Sequence, residues 1–358
     1  MISDRPHSLA GAAGRPLLVR FAAFGDAVLL TPLIRQLQAR FGAPVDLLSS
    51  GSWTAPLLQG QPGVGDIMIV RSRRTPYWAS LDQRRAVRWL RARGAGPTWF
   101  GDMNAVGRSL LTRAGIADEL IVDASNCAFL PREHTVERWW RFAAQTPRAL
   151  QHTAPPAPAP VLQGCELQVA QSARADLQRW LQHRRLEDRP LLLIQAGNKR
   201  TMRAGARQRA TNTKYWPEAN WAAVIRGMRE SHPRHAIALI GAGHEQAFNH
   251  DIIRLCGAPD VHNLADELPV PRLLALMQRA DSLLTVDSGP AHAAAAVGCP
   301  LVDLFGRANV DEYRPRGVTG AEVICLTGTV DGAPDMLGIR VDTVLDAWRR
   351  LRPRPAPQ

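Results

Sequence analysis

The chain has 358 residues, longer than a single hydrophobic core usually grows, so two domains are expected. With 46% hydrophobic and 21% charged residues it is neither disordered nor collagen-like, and no uncharged run is long enough to span a bilayer. A net charge of +12, from 44 Lys+Arg against 32 Asp+Glu and nearly all of it arginine, points to an anionic partner: nucleic acid, an anionic membrane surface or a phosphorylated substrate.

After a polar leader, 16–21 reads as a buried strand, 22–25 as a tight turn and 26–41 as a helix, with Leu29, Leu30, Leu33, Ile34 and Leu37 on one stripe. The next strand, 45–49, completes a βαβ unit, the element of a parallel, doubly wound sheet. Strands at 66–70 and 98–102 and helices across 80–93 and 106–114 continue the alternation. The segment 151–160, QHTAPPAPAP, cannot continue a helix and is taken as the domain boundary. Beyond it, helices at 171–183, 218–229, 244–255, 271–279 and 290–297 alternate with strands at 191–195, 236–240, 261–263, 282–286 and 301–305. A last helix, 341–351, runs into a basic tail. The expected fold class is α/β: two Rossmann-like doubly wound domains, 1–158 and 159–340, followed by the helix and tail 341–358. Ligands of such sheets bind beyond the carboxyl ends of the strands, so two of them in tandem are expected to face one cleft.

Five scattered cysteines, Cys127, Cys165, Cys256, Cys299 and Cys325, lack metal-ligand spacing and read as reduced, buried residues of a cytosolic protein. The apolar stretch 17–33 is interrupted by Arg20 and Asp26 and carries no cleavage pattern, so no signal peptide is expected and any membrane contact is peripheral.

Two helix starts carry the candidate chemistry. Phe24-Gly25-Asp26 places a carboxylate at a strand-to-helix turn, where it serves either as a helix cap or as a general base exposed at a cleft. Asp287-Ser288-Gly289-Pro290-Ala291-His292 follows an apolar strand. Pro290 suits a first helical turn, and the backbone N–H groups around Gly289, with His292, make an anion site for a diphosphate; the alternative is a well-capped helix with Asp287 or Ser288 as its cap. Lys214, on the loop after strand 191–195, can neutralise a leaving diphosphate or be an ordinary exposed lysine. Glu245, after Gly241-Ala242-Gly243, can accept from ribose hydroxyls or simply favour a first helical turn.

No G-x-G-x-x-G, G-x-x-x-x-G-K-[ST], Asp-x-Asp or G-x-S-x-G pattern stands in a fitting context, so dehydrogenase and hydrolase readings lose ground and neither a cofactor nor a metal is implied. Lys199, Arg200, Arg203, Arg207 and Arg209 form a cluster that can cover phosphates. Arg71, Arg73 and Arg74 suit the rim of an acceptor site. Arg84, Arg85, Arg88 and Arg91 make a basic helix face suited to anionic lipid. Nucleic acid is not expected, for no aromatic interleaving or known motif accompanies the arginines.

Taken in order, Leu18-Val19-Arg20 to Gly25-Asp26 and Thr31-Pro32, His134 to Arg138, Lys214-Tyr215-Trp216-Pro217, Asp287 to His292 and Phe305-Gly306 resemble glycosyltransferase family 9, the heptosyltransferases of lipopolysaccharide core assembly. The resemblance implies the GT-B fold and inverting, metal-independent transfer from an ADP-sugar to a phosphorylated glycolipid at the cytoplasmic face of the inner membrane. It implies Asp26 as general base, Lys214 on the donor phosphates, Glu245 on the ribose, Asp287 on the donor sugar, and Ser288, Gly289 and His292 on the diphosphate. The sequence departs from the family at Ala22-Ala23-Phe24, where small polar residues are common, and in the length of the basic loop before Lys214. A nucleotide-sugar epimerase of the same fold and a non-catalytic nucleotide-sugar or glycolipid binder are the competing readings.

Overall fold

The computed structural model describes residues 14–102, 104–198 and 212–352. The basic cluster from Lys199 to Arg209 and the end of the basic tail lie outside the described residues. The chain divides into two compact units, Met1–Gln163 and Gly164–Gln358.

The first unit runs β1 (Leu17–Arg20), α1 (Phe24–Leu29), α2 (Thr31–Phe41), β2 (Val45–Ser49), α3 (Thr54–Leu58), β3 (Val64–Ile69), α4 (Leu81–Arg93), β4 (Thr98–Phe100), α5 (Ala105–Ala114), β5 (Ile121–Asp123) and α6 (Thr135–Ala144). Its five strands are all parallel in the order β3-β2-β1-β4-β5. Helices cover both faces of such a sheet, which is why every residue of β2 is buried, Asp46 included, its carboxylate paired with Arg93 at 3.1 Å. The order reverses between β1 and β4, so the loops after these two strands diverge and leave a crevice at the carboxyl edge.

The helix expected over 26–41 is two helices. Pro32 has no N–H to give to the Val28 carbonyl, and the Thr31 hydroxyl donates to it instead at 2.9 Å. The chain turns at Leu30, and α2 begins with Pro32 in its first turn. Asp26 is therefore the third residue of a short helix, not its cap.

The Pro-Ala stretch belongs to the first unit and lies along α2. The Gln36 side-chain amide donates to the Pro158 carbonyl at 2.6 Å and accepts from the Val161 N–H at 2.9 Å. Arg40, only 6% exposed, donates to the Pro155 carbonyl and to the Ala143 and Gln145 carbonyls at the end of α6. At its other end α6 starts from a capping box: His134 Nδ1 accepts from the Val136 N–H while Glu137 reaches back to the His134 N–H.

The second unit runs α7 (Gln171–Arg184), β6 (Leu191–Gln195), α8 (Glu218–Ser231), β7 (Ala236–Leu239), α9 (Gln246–Cys256), β8 (Val261–Asn263), α10 (Val270–Arg279), β9 (Ser282–Val286), α11 (Gly289–Ala296), β10 (Leu301–Phe305), α12 (Val310–Tyr313) and β11 (Val323–Thr327). A small hairpin, β12 (Thr329–Val330) with β13 (Ala333–Pro334), precedes α13 (Val341–Arg350). Six parallel strands take the order β11-β10-β9-β6-β7-β8, with the reversal between β6 and β9. Helix α13 is part of this unit's core: Val344 and Ala347 are fully buried, and the Trp348 indole donates to the Ser282 hydroxyl at 3.0 Å. Both units are thus doubly wound α/β sheets, as expected. The edge strands β5 and β11 and the hairpin were not anticipated. No helix among the described residues is long and apolar enough to cross a membrane.

Candidate active site

In the first unit, the loops flanking the crevice carry Asp26 and Asp102. Asp102 is a structural clamp: its two carboxylate oxygens accept from the Phe21 N–H at 2.6 Å and the Asn104 N–H at 2.9 Å, tying the end of β1 to the loop after β4. Asp26 differs from it. Its side chain is 44% exposed, accepts from the Ala23 N–H at 3.3 Å and lies 3.8 Å from the Arg20 guanidinium. An accessible carboxylate that accepts one hydrogen bond has lone pairs to spare, which is what a proton acceptor needs. Arg20, at the last position of β1, is itself anchored to the Gly101 carbonyl and sits over the Trp139 ring at 5.9 Å. Arg71, Arg73 and Arg74 are exposed on the loop after β3, and Arg73 lies over the Phe21 ring at 5.9 Å. That contact brings one of the three arginines to the strand end that leads into the Asp26 turn.

In the second unit, Lys214, Asp287, Ser288 and Gly289 come together at the reversal. Lys214 Nζ lies 2.6 Å from Asp287 Oδ2 and donates to the Asp287 carbonyl at 3.0 Å. The Lys214 loop is fixed in turn, its N–H donating to the Asn212 side chain at 3.1 Å and its carbonyl accepting from Asn198 at 3.0 Å. Ser288 occupies the cap position of α11 in extended backbone, yet its side chain makes no capping bond. Its hydroxyl lies instead 3.3 Å from the Thr285 hydroxyl. No side chain caps the first turn of α11; Pro290 carries no N–H and the Ala291 N–H donates to the Ser288 carbonyl at 3.2 Å, which leaves the Gly289 N–H near a lysine held by two oxygens, an arrangement suited to an anion. His292 is buried within that turn.

Glu245 stands apart from this pair, at the end of β7. It closes a 3-10 turn, Gly243–Glu245, ahead of α9, rather than opening the helix as expected. Its carboxyl is 4% exposed and accepts from the Ala242 N–H at 2.7 Å and from Gln195 at 3.3 Å. Burial raises its pKa, with the Ala242 bond opposing. A side chain on Gly197 would put its Cβ 2.4 Å from Glu245 Oε1, so the chain after β6 passes directly against this carboxyl only because the residue is glycine.

The sequence reading missed a polar row across the second sheet. Parallel register sets Gln195 of β6 beside Thr285 of β9, Thr285 beside Asp303 of β10, and Asp303 beside Cys325 of β11. Asp303 is 1% exposed, and neither of its oxygens finds a hydrogen-bond partner among the described residues. Burial pushes its carboxyl well above the carboxylate range, the nearby Asp287 charge pushes it further, and Lys214 opposes. Burial likewise pushes the Cys325 thiol up to about 12. A polar residue inside LVDLF was the available signal, but nothing in one strand shows which residues of other strands lie beside it.

A family model described as Glycosyltransferase family 9 (heptosyltransferase) matches residues 118–330. Lipopolysaccharide heptosyltransferase 3 of Escherichia coli is 36% identical over 105 residues, 28% of this chain and 30% of that protein. Its counterpart in strain K12 is 29% identical over 102 residues, again 30% of its length, so the chain spans under a third of these curated relatives. Among solved structures, ADP-heptose lps heptosyltransferase II of E. coli superposes with a TM-score of 0.70 at 19% identity, covering 94% of this chain and 97% of that one. A glycosyl transferase family 9 protein from Veillonella parvula DSM 2008 gives 0.74 at 15% identity with the same coverage. E. coli heptosyltransferase WaaC with ADP gives 0.63 at 18% identity, covering 94% of this chain and 99% of that one. At these identities the likeness to the solved structures is one of fold.

Proposed function

The chain belongs to glycosyltransferase family 9, whose model takes in more than half of it, and from that premise we propose that it transfers a heptose from an ADP-activated donor to a phosphorylated lipopolysaccharide-core acceptor, inverting the anomeric carbon without a metal. In this reading the acceptor hydroxyl oxygen bonds to the anomeric carbon and gives its proton to the Asp26 carboxylate. The bond from that carbon to the diphosphate breaks, its electron pair leaving on the diphosphate. Lys214 and the Gly289 N–H at the start of α11 stabilise the charge that develops there. Asp287 and Glu245 take donor sugar and ribose hydroxyls, and Ser288, Gly289 and His292 hold the diphosphate.

The observation that carries the reading is Lys214 Nζ held 2.6 Å from Asp287 Oδ2 beside the uncapped start of α11. A fixed cation at a helix start without a side-chain cap can supply by itself the charge stabilisation for which other transferases recruit a divalent ion. The relatives named for ADP and heptose support the donor, and Arg71, Arg73 and Arg74 support a phosphorylated acceptor. The acceptor being a glycolipid, the reading places the enzyme at the inner face of the cytoplasmic membrane.

The test is turnover of ADP-heptose with heptose-deficient lipopolysaccharide in the presence of EDTA, with the product's anomeric configuration read by NMR. The expected result is metal-free transfer with inversion, and loss of about a hundredfold or more in Asp26→Asn, the usual span of a lost general base. Donor turnover without acceptor identifies an epimerase instead, and transfer that survives Asp26→Asn removes that residue as the base.

A further inference from the structure

Beyond the donor site, the first unit carries a surface that the transfer reaction does not use. Trp78 is 79% exposed and Leu81 is 62% exposed, the two highest values among the exposed large hydrophobic residues described. Single exposed apolar residues are common on protein surfaces. Here the two most exposed ones lie three residues apart, Trp78 in the 3-10 turn Tyr77–Ala79 and Leu81 at the first position of α4.

The charge pattern of α4 separates cleanly by face. Gln83, Ala86, Val87 and Leu90, at helical spacing, are buried against the sheet. Leu81, Arg84, Arg85 and Arg88 repeat the same spacing on the other side, and all four are exposed. No ion pair engages Arg84, Arg85 or Arg88 among the described residues, whereas the exposed helical arginines Arg179, Arg254 and Arg349 each pair with an acid on their own helix. Asp82 is the one acidic residue of α4 and is half-buried in its first turn. Arg71, Arg73 and Arg74 lie a few residues before the turn, also exposed. An apolar tip set beside a row of unpaired arginines is the composition of an element that lies in a lipid interface: the indole and leucine enter the headgroup boundary and the guanidinium groups meet lipid phosphates.

We propose that the turn at Trp78 and the outer face of α4 dock the protein on an anionic lipid bilayer, with Trp78 and Leu81 inserted and Arg84, Arg85 and Arg88 against the phosphates. The proposal rests on the glycolipid-acceptor reading only for its purpose, since docking by this face sets the Arg71 to Arg74 loop near the membrane that would carry the acceptor. The binding itself follows from the surface alone.

The experiment is co-sedimentation of the full chain with vesicles of phosphatidylcholine, with and without phosphatidylglycerol, in the absence of donor. Binding is expected to require phosphatidylglycerol and to weaken steeply with salt. The triple variant Arg84→Gln, Arg85→Gln, Arg88→Gln is expected to weaken partitioning about fivefold per arginine. Trp78→Ala with Leu81→Ala is expected to weaken it at every salt concentration while keeping the preference for anionic lipid. Arg179→Gln with Arg254→Gln, the same kind of charge removed from the second unit, is expected to leave partitioning close to that of the unaltered chain. Every substituted side chain is exposed, and a circular dichroism melt confirms that each variant is folded. Equal binding to both vesicle types overturns the proposal. So does partitioning unchanged by both the arginine variant and the Trp78/Leu81 variant. Because no donor is present, a negative result leaves the transferase reading untouched, and failure of transfer leaves the vesicle result standing.

Discussion

Lys214 Nζ lies 2.6 Å from Asp287 Oδ2, and the two side chains differ in access: 30% of the lysine is exposed but only 8% of the aspartate. The pair sets the ammonium at the mouth of α11 before any ligand arrives, so little side-chain ordering is left for binding to accomplish. Removing the lysine strips the cation from the donor phosphates and leaves a buried carboxylate without its partner. Lys214→Ala is therefore expected to lower kcat/KM by about a hundredfold or more and to weaken ADP binding measured by calorimetry. Asp287→Asn is expected to weaken ADP less than Lys214→Ala does, because the lysine remains while its tether loosens. Equal ADP affinity in the unaltered chain and Lys214→Ala would remove the lysine from the phosphate site.

Asp303 makes a prediction about pH. Its folded-state pKa is raised above the unfolded value by burial first and the Asp287 charge second. A raised acid binds its proton more tightly when folded, so its contribution to stability is fully present below the unfolded value of about 3.9. It is lost as pH rises toward the folded pKa, because the unfolded chain gives up the proton first. Asp303→Asn cannot ionise and escapes this loss. The melting temperature of the variant minus that of the unaltered chain is expected to grow as pH rises above about 4, about 1.4 kcal/mol of relative stability accruing per pH unit until the folded pKa is passed. A difference that stays flat over this range would mean that Asp303 titrates at its ordinary value.

Arg40 links three pieces of the first unit that are distant in sequence. Its guanidinium, 6% exposed, meets the Ala143 and Gln145 carbonyls at the end of α6, the Pro155 carbonyl and the Thr146 hydroxyl. Burial lowers its pKa, yet the carbonyls around it are what make a buried guanidinium tolerable. Arg40→Ala leaves those acceptors without a donor, and a loss of about 3 kcal/mol is expected from several charge-assisted bonds. Hydrogen exchange should show it locally, as faster exchange in α6 and the segment after it, with α13 of the other unit unchanged.

Much of the fold was legible because most of the parallel strands are short, largely apolar runs bounded by turn residues, and most of the helices carry one apolar stripe. The exceptions have local causes. The stripe of 26–41 continued through the break at Leu30, since periodicity does not register the missing N–H of Pro32. Strand β5 has only three residues after a 3-10 turn, too few for a pattern. At the site, the anion-binding potential of Ser288-Gly289 was visible in the turn chemistry, but its decisive feature was not. Ser288 is the kind of residue that caps helices, and only the structure shows its hydroxyl turned toward Thr285. Pairs such as Lys214 with Asp287, or Gln195 with Glu245, depend on strand order, which chain-local patterns do not contain.

Gly306 shows how a motif without evident chemistry supports the site. It follows β10, and a Cβ built on it would lie 1.8 Å from the Thr213 carbonyl oxygen. That atom is backbone, in the peptide unit that leads into Lys214, so it cannot swing aside as a side-chain tip does. Its φ is not in the left-handed region, which leaves close packing rather than backbone conformation as the reason for glycine here. Gly306→Ala must therefore push the 212–214 loop away from the strand end and draw Lys214 off Asp287. The expected outcome is a fall in kcat/KM approaching that of Lys214→Ala, although the substitution adds one methyl group and removes no functional side chain. Combining the two tests the coupling. If Gly306→Ala acts by displacing the lysine, the double variant should be little worse than Lys214→Ala alone; if the losses multiply, the glycine acts through something other than that loop.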